Sequence, residues 1–194
     1  MRTLFRHFAA FAFWTLSVVP AQAAVTITFW SHELGSSFPH AFFTLRGTPD
    51  SGGVAVDNTF GFTARTISPA LLFGPVAGKI DIAHRSYVLS SDAQFSVTMT
   101  DAQYGDVLGL VDAWSEGKPD GVYRLGDHNC VTFVKEAARR VGLIGLDKPG
   151  LMKKPRSYLK AIQAENAGRV TAIGMHGKVW SNYRASEAPV NQVP

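Results

Sequence analysis

The hydrophobic period of this chain changes once, near Thr100, and that change restricts the fold to a mixed class. Upstream, Val25-Thr26-Ile27-Thr28-Phe29-Trp30 alternates apolar and polar residues with β-branched enrichment. His40-Ala41-Phe42-Phe43-Thr44-Leu45 follows and is closed by Gly47 and Pro49-Asp50. Residues 59–64, 79–89 and 95–99 read as further strands between Gly, Pro, Ser and Asp punctuation, and residues 71–75 as a loop or short helical turn. Downstream of Thr100, an N-cap by type, Tyr104, Val107, Leu108, Val111 and Trp114 recur at helical spacing. Residues 116–121 end that helix. Asp127 or Asn129 then caps a second one running to about Val141, with Gly142 as its stop. A shorter helix is expected over residues 157–164 and a hairpin over 170–180, turning at His176-Gly177. Strands followed by helices, with no repeat or low-complexity linker, predict one α+β domain.

The first 23 residues have a different character. Arg2 and Arg6 precede an apolar run from Phe8 to Val19, and Pro20-Ala21-Gln22-Ala23 ends in small residues. This is the layout of a secretory signal cleaved after Ala23. The apolar run is short for a membrane span, and no later segment is long enough to be one. The expected organisation is a leader at 1–23, a single domain at 24–182 and a flexible tail at 183–194, in a periplasmic or secreted protein. Without its two leader arginines the chain has 17 Lys and Arg against 15 Asp and Glu. That balance is too mild to argue for nucleic acid or an anionic membrane.

Export sharpens the meaning of the one cysteine, Cys130. It has no intramolecular partner, so it is an inert buried thiol, an intermolecular link or a reactive group. Cys130, Phe133, Val134, Ala137, Ala138 and Val141 share a helix face, which fits a small core residue. A free thiol in an oxidising compartment is a liability, which favours use. Cys130 also falls at a helix start, where backbone N–H groups and the dipole lower a thiol pKa and stabilise an oxyanion. Asn129 either caps that turn or aims its amide at the oxyanion.

A thiol nucleophile needs a base. Beyond the leader the histidines are His32, His40, His84, His128 and His176. His128 is two residues from Cys130, but near neighbours on a helix end point different ways. His40 opens a strand on which His40, Phe42 and Thr44 face one side and Ala41, Phe43 and Leu45 the other. A histidine there, opposite a helix N-terminus, suits a thiolate–imidazolium pair. A zinc site is disfavoured by a single thiolate and the lack of tight ligand spacing. There is no Gly-rich phosphate loop, no Gly-x-Ser-x-Gly elbow and no paired-carboxylate motif.

Tyr123-Arg124-Leu125 followed by His128-Asn129-Cys130-Val131-Thr132-Phe133 resembles the tyrosine-x-leucine…asparagine-cysteine-x-x-phenylalanine signature of the circularly permuted papain-like superfamily. That group includes permuted NlpC-type peptidases, PPPDE peptidases and lecithin:retinol acyltransferase relatives. Pro39-His40-Ala41-Phe42-Phe43-Thr44-Leu45 is similar to its early histidine strand. The resemblance implies an antiparallel sheet packed against a helix that carries the cysteine at its N-terminus. It implies Cys130 as nucleophile, His40 as base, and a polar third residue on the strand after the histidine strand. No second histidine occurs there, unlike in the acyltransferase relatives. Asn58, Thr59, Thr63 and Asp57 are the candidates, and Asn58 is taken as the third member. The implied activity is a cofactor-free thiol peptidase or amidase, with cell-wall peptide (peptidoglycan) as the natural substrate of an exported enzyme. A lipid acyltransferase or esterase of the same fold, or a non-catalytic binding protein, is the alternative.

Overall fold

Seven strands form one antiparallel sheet, with neighbours in the order β6-β4-β3-β2-β1-β5-β7. The computed structural model describes residues 24–33 and 38–187, the last five by backbone only. The expected leader, at 1–23, lies outside the described residues. In chain order the strands are β1 (Thr26–His32), β2 (His40–Gly47), β3 (Val56–Ala64), β4 (Val76–Asp81), β5 (Asp92–Thr98), β6 (Val122–Tyr123) and β7 (Thr171–His176). The helices are α1 (Arg85–Leu89), α2 (Asp101–Ala113), α3 (Cys130–Arg140), α4 (Pro155–Glu165) and α5 (Gly177–Glu187).

Strand alternation divides the protein into two layers of unequal weight. Ala41, Phe43 and Leu45 of β2 point into the main core with Ile27, Phe29, Phe62 and Phe95, and α2, α3 and α4 cover them. Trp30 and Phe42 point the other way, into a smaller cluster with Val88 of α1 and Ala93, flanked by Tyr87 and Trp180. The expected division of β2 into two faces therefore holds. So does the α+β class, with an antiparallel sheet packed against the helix that begins at the cysteine.

Helix ends follow local chemistry. Thr100 caps α2 in a reciprocal box with Gln103. α3 closes at Gly142, whose φ of +81° lies in the left-handed region that glycine adopts at little cost.

Two expectations fail where a distant partner decides the local structure. The strand foreseen over residues 79–89 stops at Asp81, because the ladder between β4 and β3 ends at the pair of Asp81 with Gly61. His84 then starts α1 through its carbonyl, which accepts from Tyr87 N at 2.9 Å, and α1 lays Tyr87 and Val88 over the second cluster. The hairpin foreseen over residues 170–180 is instead β7, paired with β5, followed directly by α5. Gly177 makes that junction: its N–H reaches the Ser91 carbonyl at 2.7 Å, and a Cβ would lie 2.3 Å from the Val88 carbonyl oxygen. α5 runs on to Glu187, so the stretch expected as a tail begins as helical backbone. The short segment at 71–75 overlaps a 3-10 turn over Pro69–Leu72.

Candidate active site

Cys130 is delivered to the end of the sheet by a tight chain reversal. β6 pairs with β4, and Arg124 and His128 then exchange backbone hydrogen bonds of 2.9 and 3.0 Å. The reversal is fastened by ring packing. His128 stacks on Trp114 with centroids 3.9 Å apart, and its Nε2 lies 2.9 Å from the Asp120 carbonyl. That commitment keeps His128 away from the thiol, as its position two residues from Cys130 suggests.

Asn129 is the N-cap of α3. Its side-chain oxygen accepts from Val131 N at 2.8 Å and Thr132 N at 3.2 Å. Its amide nitrogen donates to the carbonyls of Leu125 and Met152 at 3.0 and 3.1 Å. Of the two roles open to Asn129 in the sequence, the structure selects the cap. The amide has no hydrogen left for an oxyanion, and the residue is only 3 % exposed.

The thiol of Cys130 is 7 % exposed and packs in the main core. The nearby backbone N–H groups of Ala41, Val131 and Cys130 itself favour the thiolate. Burial opposes them and is the larger effect, so the thiol is pushed up to about 11. Here the structure corrects the sequence expectation of a thiol acidified by the helix start. The N–H groups are present, but desolvation outweighs them.

The Ala41 N–H brings the second element to the site. Ala41 follows His40, the first residue of β2, so the thiol rests against the start of the histidine strand. His40 is partly buried and lies in register with His32 of β1. Burial holds its imidazole down at about 4, against the opposing pull of the Asp81 carboxylate and with a smaller contribution from His32. His32 stacks on Tyr87 at 4.4 Å and shares a 3.0 Å hydrogen bond with the Ser91 hydroxyl. Burial, then Asp81, then Cys130 raise the Tyr87 phenol to about 12. At neutral pH the site therefore contains a thiol and a neutral imidazole.

Asn58 is not brought to His40. It is exposed and opposite Leu45, three residues along β3 from Gly61, or roughly 10 Å at strand rise. Asp57 is paired with Arg46 at 2.7 Å. Asp57 and Thr59 line a cavity of about 170 Å³ beneath α1 and α5, with Trp30, Arg46, Arg85 and Trp180, and neither Cys130 nor His40 borders it. Thr63 lies opposite Lys79 on β4. The carboxylate whose charge reaches the His40 ring is that of Asp81. Asp81 ends β4, one strand beyond the strand to which the resemblance points, and its only signal in the sequence is its acidic type.

No family model matches the sequence, and no curated protein does. Among solved structures the chain is similar to the crystal structure of the type VI secretion system effector TseH. The two share 18 % identity over 78 % of this chain and 98 % of that chain, with a TM-score of 0.48. The likeness is one of coarse chain path.

Among the described residues, no group of three or more His, Cys, Asp or Glu side chains is arranged to hold a metal ion, and no helix is long and apolar enough to cross a membrane. The chemistry this geometry offers is a buried thiol at a helix start, packed against the strand that a neutral imidazole opens.

Proposed function

We propose that this chain is an exported thiol hydrolase of the permuted papain-like kind, a peptidase or amidase with Cys130 as nucleophile and His40 as base. The observation that carries the reading is the packing of α3 on β2, which puts Cys130, at the first turn of the helix, in one core with Ala41, the residue following His40. Both groups rest uncharged, so the proton moves as the bond forms. The sulfur attacks a carbonyl carbon while His40 takes the thiol proton. The oxyanion is stabilised at the free end of α3, where the Asn129 cap occupies the N–H groups of Val131 and Thr132 and leaves that of Cys130. The imidazolium then protonates the departing amine, leaving a thioester on Cys130. Water, deprotonated by His40, releases the acid.

The leader-like first 23 residues support a substrate outside the cytoplasm, where cell-wall peptides are abundant amides. A second reading, acyl transfer or ester cleavage on lipid, draws on one observation. Phe38 and Ile82, close in sequence to His40 and Asp81, are 70 % and 71 % exposed and would suit an acyl chain.

Purified cell-wall peptides and phospholipid vesicles, each incubated with the wild type and with Cys130→Ala, separate these readings. A new amine from the peptides that disappears in Cys130→Ala is the expected result. A Cys130-dependent product from the vesicles alone would move the assignment to lipid. The absence of any such product from either would leave a binding protein.

A further inference from the structure

We propose that Asp81 is the acid that orients His40, acting across Gly61, so that the third member of the site stands on β4 instead of β3. This rests on the Cys130–His40 reading above. β2 and β4 are not neighbours: β3 runs between them, which puts their backbones roughly 9–10 Å apart. An ordinary side chain on β3 would stand in the gap, and at the crossing point β3 has a glycine. Gly61 is in register with Phe42 of β2 on one side and with Asp81 of β4 on the other, so the side chains of all three positions share a face. His40, two residues before Phe42, is on that face as well. Its imidazole leans over the glycine. A Cβ on Gly61 would come 2.6 Å from His40 Nε2 and 3.3 Å from the Phe42 Cβ.

This geometry divides the work of the two ring nitrogens. Nε2 lies over Gly61, on the side of Asp81, and carries the hydrogen of the neutral ring. Nδ1 keeps its lone pair and accepts the Cys130 proton as the sulfur–carbon bond forms. The imidazolium then has its Nε2–H toward the Asp81 carboxylate, which fixes the orientation of the ring. Other charged or titratable groups around the ring are Lys79, with Nζ 3.9 Å from Asp81 Oδ1, and His32 and Tyr87, which face each other in a stack. The Asp81 charge already favours the protonated ring, while burial and His32 oppose it. Asp81 is thus a positioning residue, and Gly61 is the opening through which it acts.

The test uses the full chain and p-nitrophenyl acetate as acyl donor, with acetylation of the single cysteine followed by mass. Asp81→Asn is expected to slow acetylation by about ten- to a hundredfold, and Gly61→Ala by a similar factor because its methyl displaces the imidazole. Lys79→Met is expected to stay within about twofold, since an exposed ion pair contributes little. In a His40→Ala background, Asp81→Asn should have no further effect, a result that a merely structural role for Asp81 would not give. Wild-type rates for Asp81→Asn, alongside a loss in His40→Ala, would overturn the Asp81 assignment and leave the base in place. Equal losses from Asp81→Asn in both backgrounds would also overturn it. An unchanged rate in His40→Ala would remove the Cys130–His40 reading itself, and the Asp81 assignment with it.

Discussion

Replacing His40 with Ala is expected to lower the rate at which p-nitrophenyl acetate acylates Cys130 by about a hundred- to ten-thousandfold at neutral pH. Cys130→Ala should leave no acyl-enzyme at all. The size of the His40 effect follows from the resting state of the thiol. A cysteine pushed up to about 11 has almost no thiolate at pH 7, so attack depends on a base that removes the proton in the transition state. A pre-ionised cysteine would be less dependent on that help. His40 is suited to the task because burial keeps it in the unprotonated form down to about pH 4. Mass analysis of the peptide containing Cys130, with single-turnover release of nitrophenolate, reads both variants.

Phe133→Ala is expected to destabilise the fold by about 3–5 kcal/mol, seen as a lower urea midpoint with an unchanged slope. Phe133 is fully buried, and its ring packs against Phe43 at 5.3 Å, Trp114 at 5.3 Å and Phe62 at 6.0 Å. These contacts join α3 to β2, to β3 and to the end of α2. Loss of the ring leaves a cavity among rigid aromatic neighbours that cannot easily collapse into it. Phe133 lies about one helical turn beyond Cys130, so the same substitution loosens the seat of the thiol. Acylation should fall even at temperatures where the protein remains folded.

The parts of the site that could be read in the sequence are those set by near neighbours. Thr100 and Asn129 cap their helices through side chains that reach two or three residues forward, an interaction visible in the order of residues. The two faces of β2 follow from strand period alone, and they put His40 and Phe42 on one side and Ala41 and Phe43 on the other. What could not be read depends on register between distant strands. Asp81 shares a face with His40 only because Gly61 pairs with Phe42 in one direction and Asp81 in the other. Asn58 fails for the same reason, since that register carries it to Leu45. The thiol pKa belongs with these. A helix start is a local signal that favours the thiolate, whereas the burial that overrides it comes from packing α3 against β2 and its neighbours. β7 and α5 likewise depend on β5, which precedes them by most of the helical half of the chain.

The proposed reaction starts from an uncharged Cys130–His40 pair, and the pH dependence of Cys130 acylation distinguishes that pair from a pre-formed ion pair. His40 must be unprotonated to act as base, so the rate should fall only as pH drops toward about 4, where the ring takes up its proton. Between about pH 5 and 9 it should be level, because neither group titrates there. Above that it should climb, as the thiol approaches its own value of about 11 and thiolate accumulates. A bell-shaped profile that declines above about pH 8 would show a thiolate–imidazolium pair losing its proton, and would rule out the uncharged pair.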